Sequence, residues 1–475
     1  MKSIGSKEEK MSVREERRAQ ETAAARTIIT TIPQPSDDYG LPAMETIIEQ
    51  LLPRYVRRYA HYLDAGLVCL RKIPWLPGFY ALPGHSALSA LNDNDSNYKD
   101  QGFFAMDAAS SLAVVALQLQ SLTTPCIVLD LCCCPGAKMQ LIAENLPAHS
   151  RVIGVDNSIN RLHVCRSLFD TWLMNTHTLI GEDNLARFYV FHADGRNFSV
   201  DNFGACVFDS DYILTEIKQG KTKNAMRNKS SRGREKQYLK LLEQSITPAA
   251  HTILPVTYDR VLVDAECTHD ASYRHMAFCG QVAKWRKRGV CSDSPIESIQ
   301  PSGGLTLSHN IERVEDITAN KLELMELQRG LLANGFNSLS EGGVLVYSTC
   351  SHDDAQNEDI VQWLLDTQSN AMLDPIVIDE TDQDRLIKSE MKQLVENALA
   401  LCVLSDDVDA NGSRKKRKVD VQQLFLTEGT RLCDLLSQLS APPLLPSMKL
   451  PGTVRTSYEV GMSGHFIARI VKLPS

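Results

Sequence analysis

The architecture of this chain can be read from one segment, Val128-Leu129-Asp130-Leu131-Cys132-Cys133-Cys134-Pro135-Gly136-Ala137-Lys138. A short apolar run ends at Asp130 and is followed by a tight loop that opens a helix, which is the pattern of a strand and turn in a parallel α/β sheet. Gly136 has no Cβ, so the loop backbone can approach a ligand closely, and the N–H groups of the following helix point to the same place. We therefore predict a ligand-binding loop formed by Cys132, Cys133, Cys134, Pro135, Gly136, Ala137 and Lys138.

An acidic residue ends each of the next two predicted strands. The segment Arg151-Val152-Ile153-Gly154-Val155-Asp156 ends 26 residues after Asp130, where a carboxylate suits the hydroxyl groups of a ribose. Phe191-His192-Ala193-Asp194 ends in an acid that is placed for an adenine amino group. The loop is neither GxGxxG nor GxxxxGK(S/T), so a ligand with adenosine and no phosphate fits better, and we predict S-adenosylmethionine. The alternative is a structural turn that binds no ligand.

Two further apolar runs each lead to a cysteine. Val261-Leu262-Val263 precedes Asp264-Ala265-Glu266-Cys267-Thr268, and Val344-Leu345-Val346 precedes Tyr347-Ser348-Thr349-Cys350-Ser351. Ligands collect beyond the carboxyl ends of the strands in an open α/β sheet. Cys267 and Cys350 are therefore predicted to meet across one crevice, although 83 residues separate them. A thiol nucleophile facing the cofactor is the functional interpretation, and a buried apolar cysteine is the alternative for either residue alone.

The alternation of apolar runs and helical segments predicts an α/β fold with a mostly parallel sheet and helices on both faces. Its strands are predicted at 126–131, 151–155, 187–192, 259–264 and 343–349, and its helices at 106–120, 137–146, 158–173, 319–334 and 355–366. One more helix is predicted beyond the core, at 421–439. The sequence predicts that the chain has five parts. A disordered arm at 1–40 and a small N-terminal helical module at 41–100 precede the core at 101–370, which carries a basic insertion near 205–250. An insertion with a basic low-complexity segment follows at 371–450, and C-terminal strands at 451–475 complete the core.

Composition excludes several classes of protein. The 475 residues carry a net charge of −8, and no apolar run approaches the roughly 20 residues that a membrane-spanning helix needs. The acidic residues among the first 26 argue against a secretory signal, so we expect no membrane partner. The 13 cysteines are an odd number and lack a second CxxC or HxxxH partner at zinc-like spacing, so we predict no metal site.

Basic residues are concentrated in three short regions. Lysines and arginines dominate 218–240, and the run 284–288 interleaves Trp285 with cations. Both regions could contact the phosphate backbone of a nucleic acid. The alternative for each region is a solvated, flexible insertion. The five consecutive cations at 414–418 resemble a nuclear import signal, with a solvated charge run as the alternative. We therefore predict a nuclear or nucleolar protein, with the cytoplasm as the alternative location.

Taken in order, these motifs resemble the RsmB/nucleolar-protein/Sun family of S-adenosylmethionine-dependent RNA (cytosine-5) methyltransferases. The cofactor loop of that family reads D-x-C-A-A-P-G-G-K and corresponds to residues 130–138. Its D-A-P-C-S motif corresponds to 264–268 and its T-C-S motif to 349–351. The resemblance covers roughly 45–370 and 451–473 and implies a Rossmann-like class I methyltransferase fold.

The resemblance also implies a role for each matched residue. Asp156 would bind the ribose with Arg161 beside it, Asp194 would face the adenine, and the loop and Asp264 would complete the S-adenosylmethionine site. Cys350 would attack carbon 6 of cytosine so that carbon 5 can accept a methyl group. Asp264 would hydrogen-bond or protonate ring nitrogen 3, Cys267 would assist release, and Lys138 would hold the site electrostatically. The implied partner is RNA, with transfer or ribosomal RNA as the expected class, while oligomeric state is not implied.

Five positions depart from the family pattern. Glu266 replaces a proline, His269 a small residue, Ala137 the second loop glycine, and Cys133-Cys134 two alanines. A carboxylate beside a thiol disfavours the thiolate, so Glu266 motivates an alternative function: an RNA-binding scaffold that is weak or inactive in catalysis. Methylation of DNA or protein is a third interpretation. It is disfavoured because this chain has Glu266-Cys267 where DNA enzymes have Pro-Cys, and lacks the (D/N)-P-P-(Y/F) motif of amino-group methylases.

Overall fold

The computed structural model describes residues 44–59, 70–84, 102–180, 186–218, 254–273, 275–276, 314–403, 406–408, 414–416 and 421–474. Within these residues, ten strands form one large mixed sheet. Its parallel centre consists of β5 (Ile127–Asp130), β6 (Arg151–Asp156), β7 (Arg187–His192), β9 (Tyr258–Asp264) and β10 (Leu339–Thr349), in the order β10-β9-β5-β6-β7.

Antiparallel strands extend the sheet on both sides. On one side β8 (Ala205–Asp209) pairs with β7. On the other side β16 (His465–Lys472) pairs with β10. Both β15 (Val454–Thr456) and β11 (Ala371–Leu373) pair with β16, and β14 (Leu445–Pro446) pairs with β15. The chain order reverses at β5, whose neighbours are β6 and β9, and such a switch point is where open α/β sheets bind their ligands.

The sheet lies between two layers of helices because neighbouring residues of each parallel strand face opposite sides. In β5, Val128 belongs to one buried cluster and Leu129 to the other. The first cluster includes residues of α2 (Ala108–Val115), α3 (Ala137–Glu144) and α4 (Ile159–Ile180), and the second includes residues of α6 (Val314–Asn337) and α7 (Glu358–Thr367). A short helix, α5 (Ser210–Lys218), follows β8. Continuous apolar runs such as Val261–Val263 are what a strand covered on both faces requires.

These elements confirm the predicted fold class and each strand and helix predicted for the core. The largest differences are that α2 ends at Val115, α4 extends to Ile180, α6 begins at Val314 and β10 begins at Leu339. The first part of the predicted basic insertion near 205–250 forms β8 and α5. The remainder of that insertion and the run 284–288 lie outside the described residues.

The prediction of a helical module at 41–100 is wrong for the described residues. After α1 (Met44–Leu51), the chain forms a four-stranded antiparallel sheet in the order β2-β3-β1-β4, made of Arg71–Lys72, Phe79–Leu82, Arg54–Arg58 and Phe103–Ala105. The helix-like spacing of apolar residues continues past Leu51, but Pro53 disfavours helix at the residue before it and ends the pattern. Buried Arg57 pairs with Glu144 of α3, whose side chain is 7% exposed, and fixes this small sheet to the core.

Residues 371–450 contain more helix than the sequence predicted. The predicted helix at 421–439 is α9 (Val421–Leu436), but α8 (Asp382–Val403) was missed. Its buried residues recur at helical spacing, among them Ile387, Met391, Leu394 and Ala398, yet its many charges hide the pattern. Residues 414–416 form β13, paired with β12 (Asp406–Val408). The arm at 1–40 lies outside the described residues, and the five-part division of the chain stays a prediction. None of the described helices has the length and hydropathy that a membrane crossing needs.

Candidate active site

A cavity of about 510 Å³ opens at the carboxyl ends of the parallel strands. Its wall contains the loop residues predicted to bind the cofactor, together with the predicted Asp156, Arg161, Asp194, Asp264 and Cys350. The strand order brings these residues together from five separate strand ends. Cys267 is the one predicted site residue that does not line the cavity; it is buried directly behind Cys350.

The loop after β5 is held by a local network. Gly136 has a φ of 104°, a conformation that L side chains rarely adopt. Arg161 donates a hydrogen bond from Nη2 to the carbonyl of Cys134 over 2.5 Å, and the Cys134 N–H donates to Asp156 Oδ2 over 3.3 Å. Arg161 also lies 3.8 Å from Asp156. The arginine therefore fixes the loop against the acid that ends the next strand.

The acids at the ends of the first three parallel strands, Asp130, Asp156 and Asp194, have different environments. Asp156 is buried and also accepts a hydrogen bond from the N–H of Ser158. Asp194 accepts hydrogen bonds from Arg196, which lower the pKa of its carboxyl. Asp130 lies behind the loop, with Oδ1 accepting from the Cys132 N–H and Oδ2 without a hydrogen-bond partner. Burial and the charge of Asp264 raise the pKa of Asp130 to about 8, although Lys138 opposes the shift.

This set of groups fits S-adenosylmethionine. Two carboxylates at adjacent strand ends can accept hydrogen bonds from ribose hydroxyls and an adenine amino group. The cations at the cavity wall, Lys138 and Arg161, are each paired with an aspartate, so the site offers no cluster of unpaired positive charge for a phosphate. The cavity volume falls in the range of small-molecule sites.

Asp264 lies close to side chains from three separate elements. Lys138 donates to its Oδ2 over 2.5 Å, Ser348 donates to Oδ1 over 2.7 Å, and His465 Nε2 lies 3.7 Å from Oδ1. Burial alone would raise the pKa of Asp264, but the charges of Lys138 and His465 and these hydrogen bonds lower it overall. Asp264 is therefore ionised and paired, and the proton donor nearest to it is the Lys138 ammonium.

The two strand-end cysteines meet as predicted. The Sγ atoms of Cys267 and Cys350 lie 3.3 Å apart, and the N–H of Cys350 donates to Cys267 Sγ. Their proximity follows from the parallel pairing of β9 with β10, in which Asp264 stands opposite Ser348. The hydrogen bond from Cys350 lowers the pKa of the Cys267 thiol to about 5, against its burial and with help from His269. The same interaction raises the pKa of Cys350, so the pair holds one thiolate and one thiol.

Several residues of the site were missed or only partly seen in the sequence. His269 was noted only as a departure, yet its Nδ1 lies 2.8 Å from Cys350 Sγ. The sequence alone assigns no role to Ser348 or His465. Gln328 of α6 donates to the carbonyl of Glu266 over 2.7 Å and shapes the turn after β9. No local spacing identifies these residues, because each acts on a residue at least 62 positions away in the sequence.

Possible metal-ligating atoms are close together at two places in the described residues. One is the buried group Cys133, Cys134 and Cys165, and the other is Cys267, His269 and Cys350. Each offers three atoms, whereas structural zinc sites use four protein ligands. We assign no metal to either, and the absence of a metal cofactor stays a prediction.

Residues 304–399, which include β10 and Cys350, match the family model of the 16S rRNA methyltransferase RsmB/F. This match covers about a fifth of the chain. The match confirms the predicted resemblance to this family and the predicted cofactor, S-adenosylmethionine.

Curated members of the RsmB/F family are similar to this chain over part of their length. Ribosomal RNA small subunit methyltransferase F of Salmonella paratyphi A is 24% identical over 313 residues, which cover 64% of this chain and 43% of the relative. The protein of the same name from Pectobacterium atrosepticum is 22% identical over 297 residues, covering 62% and 41%. The chain thus spans less than half the length of these curated relatives.

Solved structures of two proteins from Pyrococcus horikoshii are also similar to this chain. A methyltransferase homolog is 17% identical, with 90% of this chain and 89% of that chain covered at a TM-score of 0.44. NSun6 is 12% identical, with 91% and 94% covered at a TM-score of 0.43. The fold assignment rests on the strand order of this chain rather than on these overlaps.

The prediction of a nuclear or nucleolar location is wrong. The curated relatives within the RsmB/F family, from Salmonella, Pectobacterium and Aeromonas, are bacterial proteins, and bacteria have no nucleus. The cytoplasmic alternative agrees with these relatives. Five consecutive cations, such as those at 414–418, are also common in solvated segments and do not identify an import signal. Three of these cations form β13.

Proposed function

We propose that this protein is an RNA (cytosine-5) methyltransferase that transfers a methyl group from S-adenosylmethionine to carbon 5 of a cytosine through a covalent adduct with Cys350. One observation carries the proposal: a single cavity is bordered by the cofactor loop, by Asp264 with Lys138, and by Cys350. A thiol nucleophile beside a methyl donor suits a carbon that must first be activated by addition at its neighbour.

The bound cofactor would supply an electrophilic methyl group, held by the loop 132–138, Asp156, Arg161 and Asp194. The Cys350 thiolate forms a bond to carbon 6 of the cytosine, and the displaced electrons collect on carbon 5 and ring nitrogen 3. Asp264 is ionised, so the Lys138 ammonium beside it is the group that can offset charge or supply a proton at nitrogen 3.

Product release requires loss of the carbon 5 proton to a base and cleavage of the bond between carbon 6 and Cys350. Cys267 is buried and reaches only the far side of Cys350, at 3.3 Å between the sulfurs. We assign it to stabilising the departing Cys350 thiolate by a hydrogen bond. The reacting base must leave its stack to enter the cavity, so the target cytosine lies in a loop or an opened helix.

Small-subunit ribosomal RNA is the first substrate to test, because the curated relatives are named for it. Transfer RNA is the second. The purified chain would be incubated with each transcript and S-adenosylmethionine labelled in its methyl group, and the RNA would be digested and analysed for labelled 5-methylcytidine.

We expect 5-methylcytidine in at least one RNA. Cys350→Ser should reduce its formation on the order of a thousandfold or more, because the covalent step is lost. Cys206→Ser is the matched control, since Cys206 is partly buried on β8 and does not line the cavity. A folded protein that binds S-adenosylmethionine and RNA yet labels no cytosine in either RNA would overturn the proposal in favour of an RNA-binding scaffold.

A further inference from the structure

The turn after β9 places an imidazole on the thiol pair. His269 follows Cys267 by two residues and has a φ of 56°, a left-handed conformation in which histidine is enriched several-fold among residues with a side chain. The family pattern has a small residue at this position, so the ring is a feature of this chain. The conformation directs the ring back towards the two sulfurs.

The ring lies closer to Cys350 than to Cys267. Its Nδ1 is 2.8 Å from Cys350 Sγ and 3.8 Å from Cys267 Sγ, while the sulfurs are 3.3 Å apart. A nitrogen at 2.8 Å from a sulfur is in direct hydrogen-bond contact. Either sulfur can hold the single negative charge of the pair, but the imidazole favours the arrangement with the charge on Cys350.

The surroundings of His269 favour its protonated form. Burial lowers the pKa of His269, but the hydrogen bond and charge of Cys267 and the carboxylates of Glu266 and Asp264 raise it overall. The ring of His275 packs on it at 4.9 Å between centroids. Glu266 therefore acts on the imidazole, and the two departures of this turn from the family pattern are electrostatically complementary.

We propose that His269 is a catalytic residue that holds Cys350 as a thiolate through an imidazolium–thiolate ion pair. The proton on Cys350 moves to the Cys267 thiolate across their contact, so no proton leaves the site. Attack on carbon 6 then forms the carbon–sulfur bond with the Cys350 electron pair. When that bond breaks, the pair returns to Cys350 and the imidazolium again neutralises it. The ion pair forms without RNA. Only its role in the attack of Cys350 on carbon 6 rests on the proposed function.

The test measures the thiolate directly. In full-length protein carrying Cys267→Ser, so that one thiol of the pair titrates alone, the rate of alkylation of Cys350 by iodoacetamide is followed across pH by mass spectrometry of its peptide. His269→Asn is then compared with the parent, because asparagine also tolerates the left-handed conformation. The control is His149→Asn: His149 has a φ of 64°, is exposed, and precedes β6 at the opposite end of the sheet.

We expect His269→Asn to slow alkylation of Cys350 at about pH 7 by about tenfold or more, with the midpoint of the profile moved up towards about 8.5, the value of an ordinary thiol. His149→Asn should leave the profile unchanged. Overlapping profiles of the parent and His269→Asn would overturn the proposal. Should His269→Asn unfold at a lower temperature, His269→Gly relieves the backbone strain and gives the same comparison.

The two proposals fail separately. A profile that depends on His269 in a protein that methylates no RNA would refute the proposed function and leave the ion pair standing. Methylation by the wild-type protein together with overlapping alkylation profiles would refute the ion pair and leave the function standing.

Discussion

Asp130 is a carboxyl group in an environment that disfavours its charge. It is 1% exposed, and its Oδ2 has no hydrogen-bond partner. Its folded pKa of about 8 lies above the unfolded value of about 3.9. The neutral acid therefore contributes stability that is fully present below about pH 4 and is lost as the pH rises through about 8.

This predicts that the free energy of unfolding of the wild-type protein falls more steeply between about pH 4 and 8 than that of Asp130→Asn, by up to about 1.4 kcal/mol per pH unit. Urea unfolding of both proteins at several pH values measures the difference. Asp201→Asn, at an exposed loop position, should follow the wild type. Parallel curves for wild type and Asp130→Asn would show that the carboxyl is ionised in the folded protein.

Single residues of the site were predictable where they directly follow the end of a predicted strand. The loop 132–138, Asp156 and Asp194 follow short apolar runs, and the cavity contains all of them. Ser348, His269 and His465 were not predictable in their roles, because each acts through a contact with a distant strand end. Such contacts depend on strand order and register, which a single sequence does not specify.

At the scale of the element, the turn from β5 into α3 depends on Gly136. A Cβ at this position would lie 3.0 Å from Cys165 Sγ and from the ring of Phe169, both in α4. The residue thus combines a left-handed φ with close packing, and the position of the whole cofactor loop depends on it.

We expect Gly136→Ala to lower the affinity for S-adenosylmethionine by about tenfold or more, because the loop must shift, and to cost about 1–3 kcal/mol of stability. Isothermal titration calorimetry and urea unfolding measure the two effects. Gly342→Ala is the matched control, since Gly342 has a φ of 75° and nothing within 4 Å of an added Cβ. Equal loss of cofactor affinity in the two variants would show that backbone strain, and not the packing of this loop, is responsible.

Elements whose apolar residues show one clear pattern were predicted from the sequence. Elements in which the local apolar spacing and the pairing with distant residues favour different structures were not. The parallel strands are continuous apolar runs that only burial on both faces explains. By contrast, Arg54–Arg58 continues a helical pattern and is nevertheless a strand. Proline at 53 and pairing with Phe79–Leu82 outweigh the local periodicity there.

At the scale of the molecule, the site is assembled from both halves of the chain. The cofactor loop and Asp156 come from the first half, Cys267 and Cys350 from the second, and the last long strand, β16, returns His465 to Asp264. Arg455 pairs with buried Glu358 at the start of α7 and so joins the C-terminal strands to the segment that follows Cys350. Activity must therefore be measured on a protein that contains both halves of the chain and the C-terminal strands.

The most direct test is to trap the adduct between Cys350 and RNA. Without the hydrogen bond from Cys267 to the departing sulfur, Cys267→Ala should stall after methyl transfer. On a denaturing gel it should show an upshifted band that ribonuclease removes and that disappears when Cys350→Ala is added. The absence of such a band, from Cys267→Ala protein that is folded and binds S-adenosylmethionine and RNA, would contradict a covalent mechanism through Cys350.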